Sequence, residues 1–163
     1  MTIENDFTEI YNRYSDKILR LCLGYANGDE DLAKEWLQET FIKVWKHRKS
    51  FKGHSSIDTW IYRIAVNTCL SDLRQRKKMI SIDKELGNAY ESDEPKKETE
   101  LKIKKMYHCI DKLTPQNKGL ILLELENIPQ TTIAQTHGLA HGTLRTRLSR
   151  IRKSLLKCIT NGK

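Results

Sequence analysis

Along the first half of the chain, apolar residues recur at steps of three and four, the spacing of a helix that buries one face. Phe7, Ile10, Tyr11, Tyr14, Ile18, Leu21 and Cys22 form one stripe. After a break at Asn27-Gly28-Asp29, a second runs through Leu32, Trp36, Leu37, Phe41, Val44 and Trp45. Ile57, Trp60, Ile61, Ile64, Ala65, Thr68 and Leu73 make a third. An amphipathic helix is marginal alone in water, so three in succession predict a bundle with the aromatics inside. The pattern lapses over residues 79–98. Ile80-Ser81-Ile82-Asp83 is too short to define a strand, and Gly87 through Pro95 is polar, which reads as a flexible linker. Helical periodicity returns at Leu101, Met106, Ile110 and Leu113. Thr114-Pro115 is a helix start, with a capping hydroxyl followed by a residue that needs no donor at the first helical position. Leu120-Ile121-Leu122-Leu123 and Leu125 follow, ending near Asn127, and Pro129 with Thr131 and Thr132 opens another helix. The predicted fold is all-α: two small helical domains, residues 1–78 and 99–163, joined by a flexible linker over 79–98.

Residues 130–152 have the pattern of a helix-turn-helix. Ala134 on the first helix permits a close crossing, and Gly138 supplies the left-handed backbone of a sharp turn. Leu139, Leu144, Leu148, Ile151 and Leu155 continue an inward stripe, leaving Arg145, Thr146, Ser149 and Arg150 outward. In such a motif the second helix enters the major groove with its N-terminal residues nearest the bases. Arg145 and Arg150 suit either guanine edges or phosphates, while Arg147, Arg152 and Lys153 suit phosphates, which position without specifying.

Charge sharpens this picture. The 163 residues carry a net charge of +8, which alone fits nucleic acid, acidic protein or anionic lipid. Its distribution is uneven. Residues 1–41 hold nine acidic and four basic side chains, 43–78 hold ten basic and two acidic, and 83–100 hold seven carboxylates. Residues 141–160 carry six Lys and Arg and no carboxylate. Two basic blocks in separate segments suggest two contacts on one long polyanion. No apolar run approaches the roughly 20 residues of a membrane span, and the acidic N-terminus lacks the form of a secretory signal, so a cytoplasmic protein is expected. Cys22, Cys69, Cys109 and Cys158 lie at least 40 residues apart at each step, and all four are read as reduced thiols. No metal site or cofactor is expected.

Three stretches resemble the short extracytoplasmic-function group of RNA polymerase sigma factors, and together residues 7–78 and 110–156 resemble them. Glu35-Trp36-Leu37-Gln38-Glu39-Thr40-Phe41-Ile42-Lys43-Val44-Trp45 is similar to the helix that binds core polymerase. Phe51-Lys52-Gly53 with Thr59-Trp60-Ile61-Tyr62-Arg63-Ile64-Ala65-Val66-Asn67 is similar to the −10 recognition segment. Gly142-Thr143-Leu144-Arg145-Thr146-Arg147-Leu148 is similar to the start of the −35 recognition helix. The chain departs from the family at Glu35, Trp36, Thr131-Thr132, His137 and His141.

The resemblance implies a non-enzymatic subunit that binds core polymerase, recognises −35 and −10 elements and assists −10 melting. It implies core contacts from Glu35, Gln38, Glu39 and Ile42, which also step along the polar face of the second helix, to the clamp helices of polymerase's largest subunit. The flap of the second-largest subunit is implied as a second docking point. The implied −10 residues are Gly53, His54, Ser55, Ser56, Ile57, Arg63, Asn67 and Arg74. Asn67 and the loop would line a pocket for one flipped base, while Arg63, Arg74, Arg76, Lys77 and Lys78 hold phosphates. The implied −35 residues are Gly142, Thr143, Arg145, Thr146, Arg147, Ser149 and Arg150. Promoter DNA, core polymerase and an anti-sigma factor are the expected partners, with a monomer when unbound, no small-molecule substrate, and no further domain after the recognition helix. The acidic N-terminal stretch is expected to cover basic DNA-facing surface until polymerase binds. The linker, at roughly 3.3 Å per extended residue, would set the spacing of the two DNA contacts.

Two other classes fit less well. An autonomous helix-turn-helix regulator would need a dimer for paired half-sites and leaves the first 78 residues unexplained. An enzyme such as a small nuclease would need paired carboxylates, a phosphate loop or a Cys/His or Ser/His arrangement, and none is evident.

Overall fold

The structure, a computed structural model, describes residues 3–82 and 97–161. It contains seven α-helices: α1 (Ile3–Tyr25), α2 (Glu30–Lys46), α3 (Ile57–Ile82), α4 (Glu98–Asp111), α5 (Pro115–Leu125), α6 (Gln130–His137) and α7 (His141–Asn161), with a 3-10 turn at Arg48–Ser50. The helix α3 continues to Ile82, four residues into the stretch read as linker. Residues 83–96 of that stretch lie outside the described residues, and its last residue, Glu98, already begins α4.

Local signals act where the sequence places them. Asp29 caps α2 by accepting a bond from the Leu32 N–H at 3.2 Å, and Thr114 caps α5 by accepting from Asn117 N–H at 3.3 Å. Gly138 ends α6 at φ 64° and ψ 36°. Leu139 N–H then reaches back to the Ala134 carbonyl at 2.9 Å, closing a Schellman turn that a residue with a Cβ disfavours.

The three N-terminal helices bury Ile10, Tyr14, Ile18, Leu21, Trp36, Phe41, Val44, Ile61 and Ala65. Two aromatic members of the sequence stripes are not core: Tyr11 is 40% exposed and Trp45 42%. Trp36, 1% exposed, keeps its indole N–H satisfied by donating to Asp72 at 2.8 Å. Burial opposes ionisation of that carboxyl, yet the bonds from Arg76 and Trp36 hold Asp72 below its ordinary value. Tyr14 donates to Asp58 in the same bundle; burial, above all, then that bond, raises the phenol.

The C-terminal helices are built on α5, in which Lys118, Gly119 and Leu120 through Leu123 are all buried. The buried Lys118 ammonium pairs with Asp111 at 3.0 Å. Four cysteines were expected as thiols; instead Cys109 on α4 and Cys158 on α7 are joined by a disulfide with Cα atoms 5.9 Å apart. A 49-residue separation hides this pairing from any spacing rule, because helix packing alone brings the two together. Closing a loop of that size restricts the unfolded chain by about 4 kcal/mol in the chain-entropy picture.

The two halves form one continuous core. Leu122 of α5 sits against Gly24 of α1 so closely that a Cβ there would fall inside the leucine side chain. Arg20 on α1 donates to Glu126 beyond α5 at 2.7 Å, and α3 lies along α6. In addition to its expected stripe α3 buries Thr59, bonded to Gln135 of α6, Tyr62, packed edge-on against Tyr14 of α1, and Val66. Gly24→Ile is expected to part the halves without unfolding either: small-angle scattering should show a larger radius of gyration, with helical circular dichroism retained.

Candidate nucleic-acid interface

The helix-turn-helix is assembled as the spacing predicts. Ile133, Leu144, Leu148 and Ile151 are buried between α6 and α7. Gly142, Thr143, Arg145, Thr146 and Arg150 are exposed on the opposite side, with Ser149 and Arg147 half-buried. An open groove of about 750 Å³ runs over this face, lined by Gly142, Arg145, Thr146, Ser149, Arg150 and Lys153 among others. Thr146 donates its hydroxyl to the Gly142 carbonyl at 3.1 Å, leaving its acceptor lone pairs outward. Arg152, read from sequence as a phosphate contact, is instead bound through two nitrogens to Glu124 of α5. Its charge is therefore compensated within the domain, whereas Arg145, Arg147 and Arg150 have no carboxylate partner among the described residues.

The loop before α3 forms a second groove of about 780 Å³ from Ser50 through Ser56 with Trp60, Arg63 and Gln135. Gly53 turns this loop at φ 74°, and Phe51 packs against Trp60 with ring centroids 5.2 Å apart. Gly53, His54, Ser55 and Ser56 are thus gathered, with Ile57 half-buried at the start of α3. Asn67 is not among them. It opens into a separate cleft of about 770 Å³ between the domains, beside Arg63, Arg74, Arg76, Lys77 and Lys118. The helical step from Arg63 to Asn67 carries Asn67 one turn beyond the loop, so a single pocket made of both does not exist in this arrangement. Arg63 alone borders both clefts.

Arg63 is also where the two domains lock. Its Nη2 donates to the Gln135 carbonyl at 2.6 Å and its Nε reaches the Thr136 carbonyl at 3.5 Å. These carbonyls belong to the last turn of α6, where the helix dipole and unpaired acceptors favour a cation. Thr59 donates to the Gln135 side-chain oxygen at 3.1 Å and is fully buried. Of the basic residues on α3, Arg63 is thus held by α6. Arg76 is engaged too, by Asp72 at 2.6 Å and Glu35 at 3.9 Å.

On α2, Glu35, Gln38, Glu39 and Ile42 are all exposed and share a face, Ile42 at 48%. Beside them is a groove lined by Phe7, Tyr11, Leu37, Phe41, Ile42 and Trp45. Arg48 stacks over the Trp45 ring at 3.9 Å. Sequence reasoning assigned Tyr11 and Trp45 to the core because both keep the helical period; the stripe is simply wider than the helix packed on it. No helix among the described residues is long and apolar enough to cross a membrane, and no His, Cys, Asp and Glu cluster among them could hold a metal ion.

Comparison with known proteins supplies the family. Residues 10–79 match Sigma-70 region 2 and residues 103–155 match Sigma-70, region 4. The RNA polymerase sigma factor YlaC of Bacillus subtilis is 30% identical over 100% of this chain and 97% of its own length. The chain is an extracytoplasmic-function sigma factor of RNA polymerase. Another relative, ECF RNA polymerase sigma factor SigM of Bacillus subtilis, is 26% identical over 99% of this chain and 98% of its own. Two solved structures share the fold. The sigma factor RpoE in complex with the anti-sigma factor NepR from Bartonella quintana superposes with a TM-score of 0.76 at 20% identity, covering 96% of this chain and 97% of that one. CnrH in complex with the cytosolic domain of CnrY gives 0.73 at 16% identity, covering 98% and 91%. The sigma factor thus serves promoter-specific transcription initiation and is not an enzyme.

Two buried polar atoms at the domain junction of this sigma factor have no hydrogen-bond partner, Tyr25 Oη and His137 Nε2. Both lie over Gly119, whose missing Cβ leaves them room: one placed there would stand 2.5 Å from Tyr25 Oη and 3.1 Å from His137 Nε2. Burial holds the His137 imidazole below its ordinary value of 6.5. The unfolded chain then binds a proton there at a pH where the folded chain does not, so stability rises with pH in that window. His137 costs nothing above pH 6.5, and stability should fall as pH drops below it towards the lowered folded value. Urea titrations between pH 7.5 and 5 should show this loss, with a smaller slope in His137→Gln.

Proposed function

We propose that the sigma factor reads two promoter elements with the two surfaces described, and that the arrangement seen here is its closed form. Residues 1–78 act as the region 2 domain and 99–163 as the region 4 domain, with 79–98 between them. The outward face of α7 reads the −35 element through Gly142, Thr143, Arg145, Thr146, Arg147, Ser149 and Arg150. The loop residues Gly53, His54, Ser55, Ser56 and Ile57, with Arg63, Asn67 and Arg74, read and hold the melted −10 element. Glu35, Gln38, Glu39 and Ile42 dock on the clamp helices of core polymerase, and the apolar groove beside Ile42 extends that docking face. The second domain docks on the flap of the second-largest subunit.

The observation that carries this reading is the exposed α7 face, whose Arg145, Arg147 and Arg150 have no carboxylate partner among the described residues while Lys118 and Arg152 of the same domain do. Arg63 cannot serve DNA while α6 holds it, so −10 reading requires the domains to separate, and polymerase is the partner that separates them. Residues of α6 border both the loop groove and the Asn67 cleft, so one strand reaches the two together only after that movement. Because RpoE, which shares this fold, was captured with the anti-sigma factor NepR, an anti-sigma factor that keeps the domains together is the natural restraining partner. Polymerase places this work in the bacterial cytoplasm, and two modest contacts joined on one enzyme become specific through effective concentration.

The test is run-off transcription with bacterial core polymerase on DNA carrying the protein's own upstream region. Promoter-specific transcripts are expected only with the sigma factor present. Arg145→Ala should lower them about tenfold, the order of a lost bidentate base contact, and Asn67→Ala should impair open-complex formation. Arg147→Ala should weaken binding across sequences and reduce the salt slope by about one. A lack of both transcript and complex with core would overturn the reading, and a stable dimer on a palindromic site would replace it with an autonomous regulator.

A further inference from the structure

The four cysteines fall into two pairs with opposite surroundings. Cys22 on α1 and Cys69 on α3 have sulfurs 3.6 Å apart and are fully buried. The bond with Cys22 and burial hold the Cys69 thiol well above its ordinary range, and the charges of Asp72 and Glu39 act in the same direction. The thiolate is the reactive form, so this pair is shielded chemically as well as sterically.

Cys109 and Cys158 are the reverse. They are bonded across α4 and α7. Cys158 is partly exposed, whereas Cys109 is 2% exposed beneath it. Lys105 and Lys112 stand about one helical turn to either side of Cys109, Lys157 precedes Cys158, and no carboxylate lies between Ala140 and the end of α7. The more accessible Cys158 is placed to attack first, with the buried Cys109 as the resolving sulfur.

The bond also fastens a part of the fold with few other attachments. Beyond Ile151, only Leu155 and Cys158 of α7 are even half-buried, and α4 is exposed from Glu98 to Lys105. The joined helices display Leu101, Ile103, Leu156 and Ile159 to solvent, and 36% is the lowest exposure among them. Without the tie, the last turns of α7 rest on Leu155.

We propose that Cys109 and Cys158 form a reversible thiol switch that answers to a low-molecular-weight disulfide and, when oxidised, fixes the C-terminal half of α7 against α4. The Cys158 thiolate attacks the small disulfide, forming a mixed disulfide and releasing one small thiol. The Cys109 thiolate then displaces the second. The protein pair loses two electrons and two protons, and the small disulfide gains them as two thiols. Excess small thiol runs the sequence backwards. This switch is independent of which promoter the sigma factor reads.

The test equilibrates the full chain in mixtures of oxidised and reduced glutathione, quenches it with acid, denatures it and alkylates it with N-ethylmaleimide. Intact mass should show two alkylated cysteines at the oxidising end and four at the reducing end, and peptide mapping should link Cys109 to Cys158. Hydrogen exchange over residues 152–161 should be at least tenfold slower in the oxidised chain. Cys158→Ser should exchange rapidly in both buffers while keeping its helical content. Four alkylated cysteines at every glutathione ratio would overturn the proposal. So would a Cys22–Cys69 bond forming first, or exchange over 152–161 that ignores the redox state.

Discussion

Everything in this fold turns on α5, whose consecutive residues from Lys118 to Leu123 are all buried. Its own domain covers part of it with α6 and α7, but the side bearing Gly119 and Leu122 is covered by α1 of the other domain. Consecutive apolar positions, Leu120 through Leu123, face every side of a helix and need cover on every side. The two domains are therefore held together by the need to keep Leu122 from water, and the polar bonds follow. Arg63 on the α6 carbonyls, Thr59 on Gln135 and Arg20 on Glu126 form around the apolar contact and give the closed arrangement its register.

Charge is organised by the same division between inside and outside. Cations that stabilise the fold have carboxylate partners: Lys118 with Asp111, Arg152 with Glu124, Arg76 with Asp72. Those set to meet a polyanion do not. Exposed ion pairs contribute little stability, but they remove a charge from the field that DNA feels. Pairing thus sorts a basic surface into parts that bind and parts that only hold.

Much of this was legible in the sequence. The seven helices, the turn at Gly138, the break before α2, the cap at Thr114 and the exposed polar face of α2 follow from periodicity and local hydrogen bonding, which act within a few residues. What stayed hidden depends on distance through space. Thr59 keeps the period of an outward face yet is buried by a helix more than seventy positions away. Arg152 looks like its basic neighbours until Glu124 arrives from α5, and Cys109 finds Cys158 only after α4 and α7 pack. Tyr11 and Trp45 obey the core period without being core, because a stripe records where a helix prefers burial, not how far its neighbour extends.

The closeness of Gly24 to Leu122 has a consequence for the reversibility of this union. A surface that is interior in one state and solvent-facing in another must satisfy both, and large side chains on each partner would make parting prohibitive. Here α1 contributes a bare backbone, so at this point separation exposes the leucine's own methyl groups and no side chain of α1. At about 25 cal/mol for each Å² of apolar surface, that one-sided contact adds less to the union than two facing side chains would, which eases its opening by a competing protein surface. Glycine is in this sense the release allowance of a fold that must come apart to work.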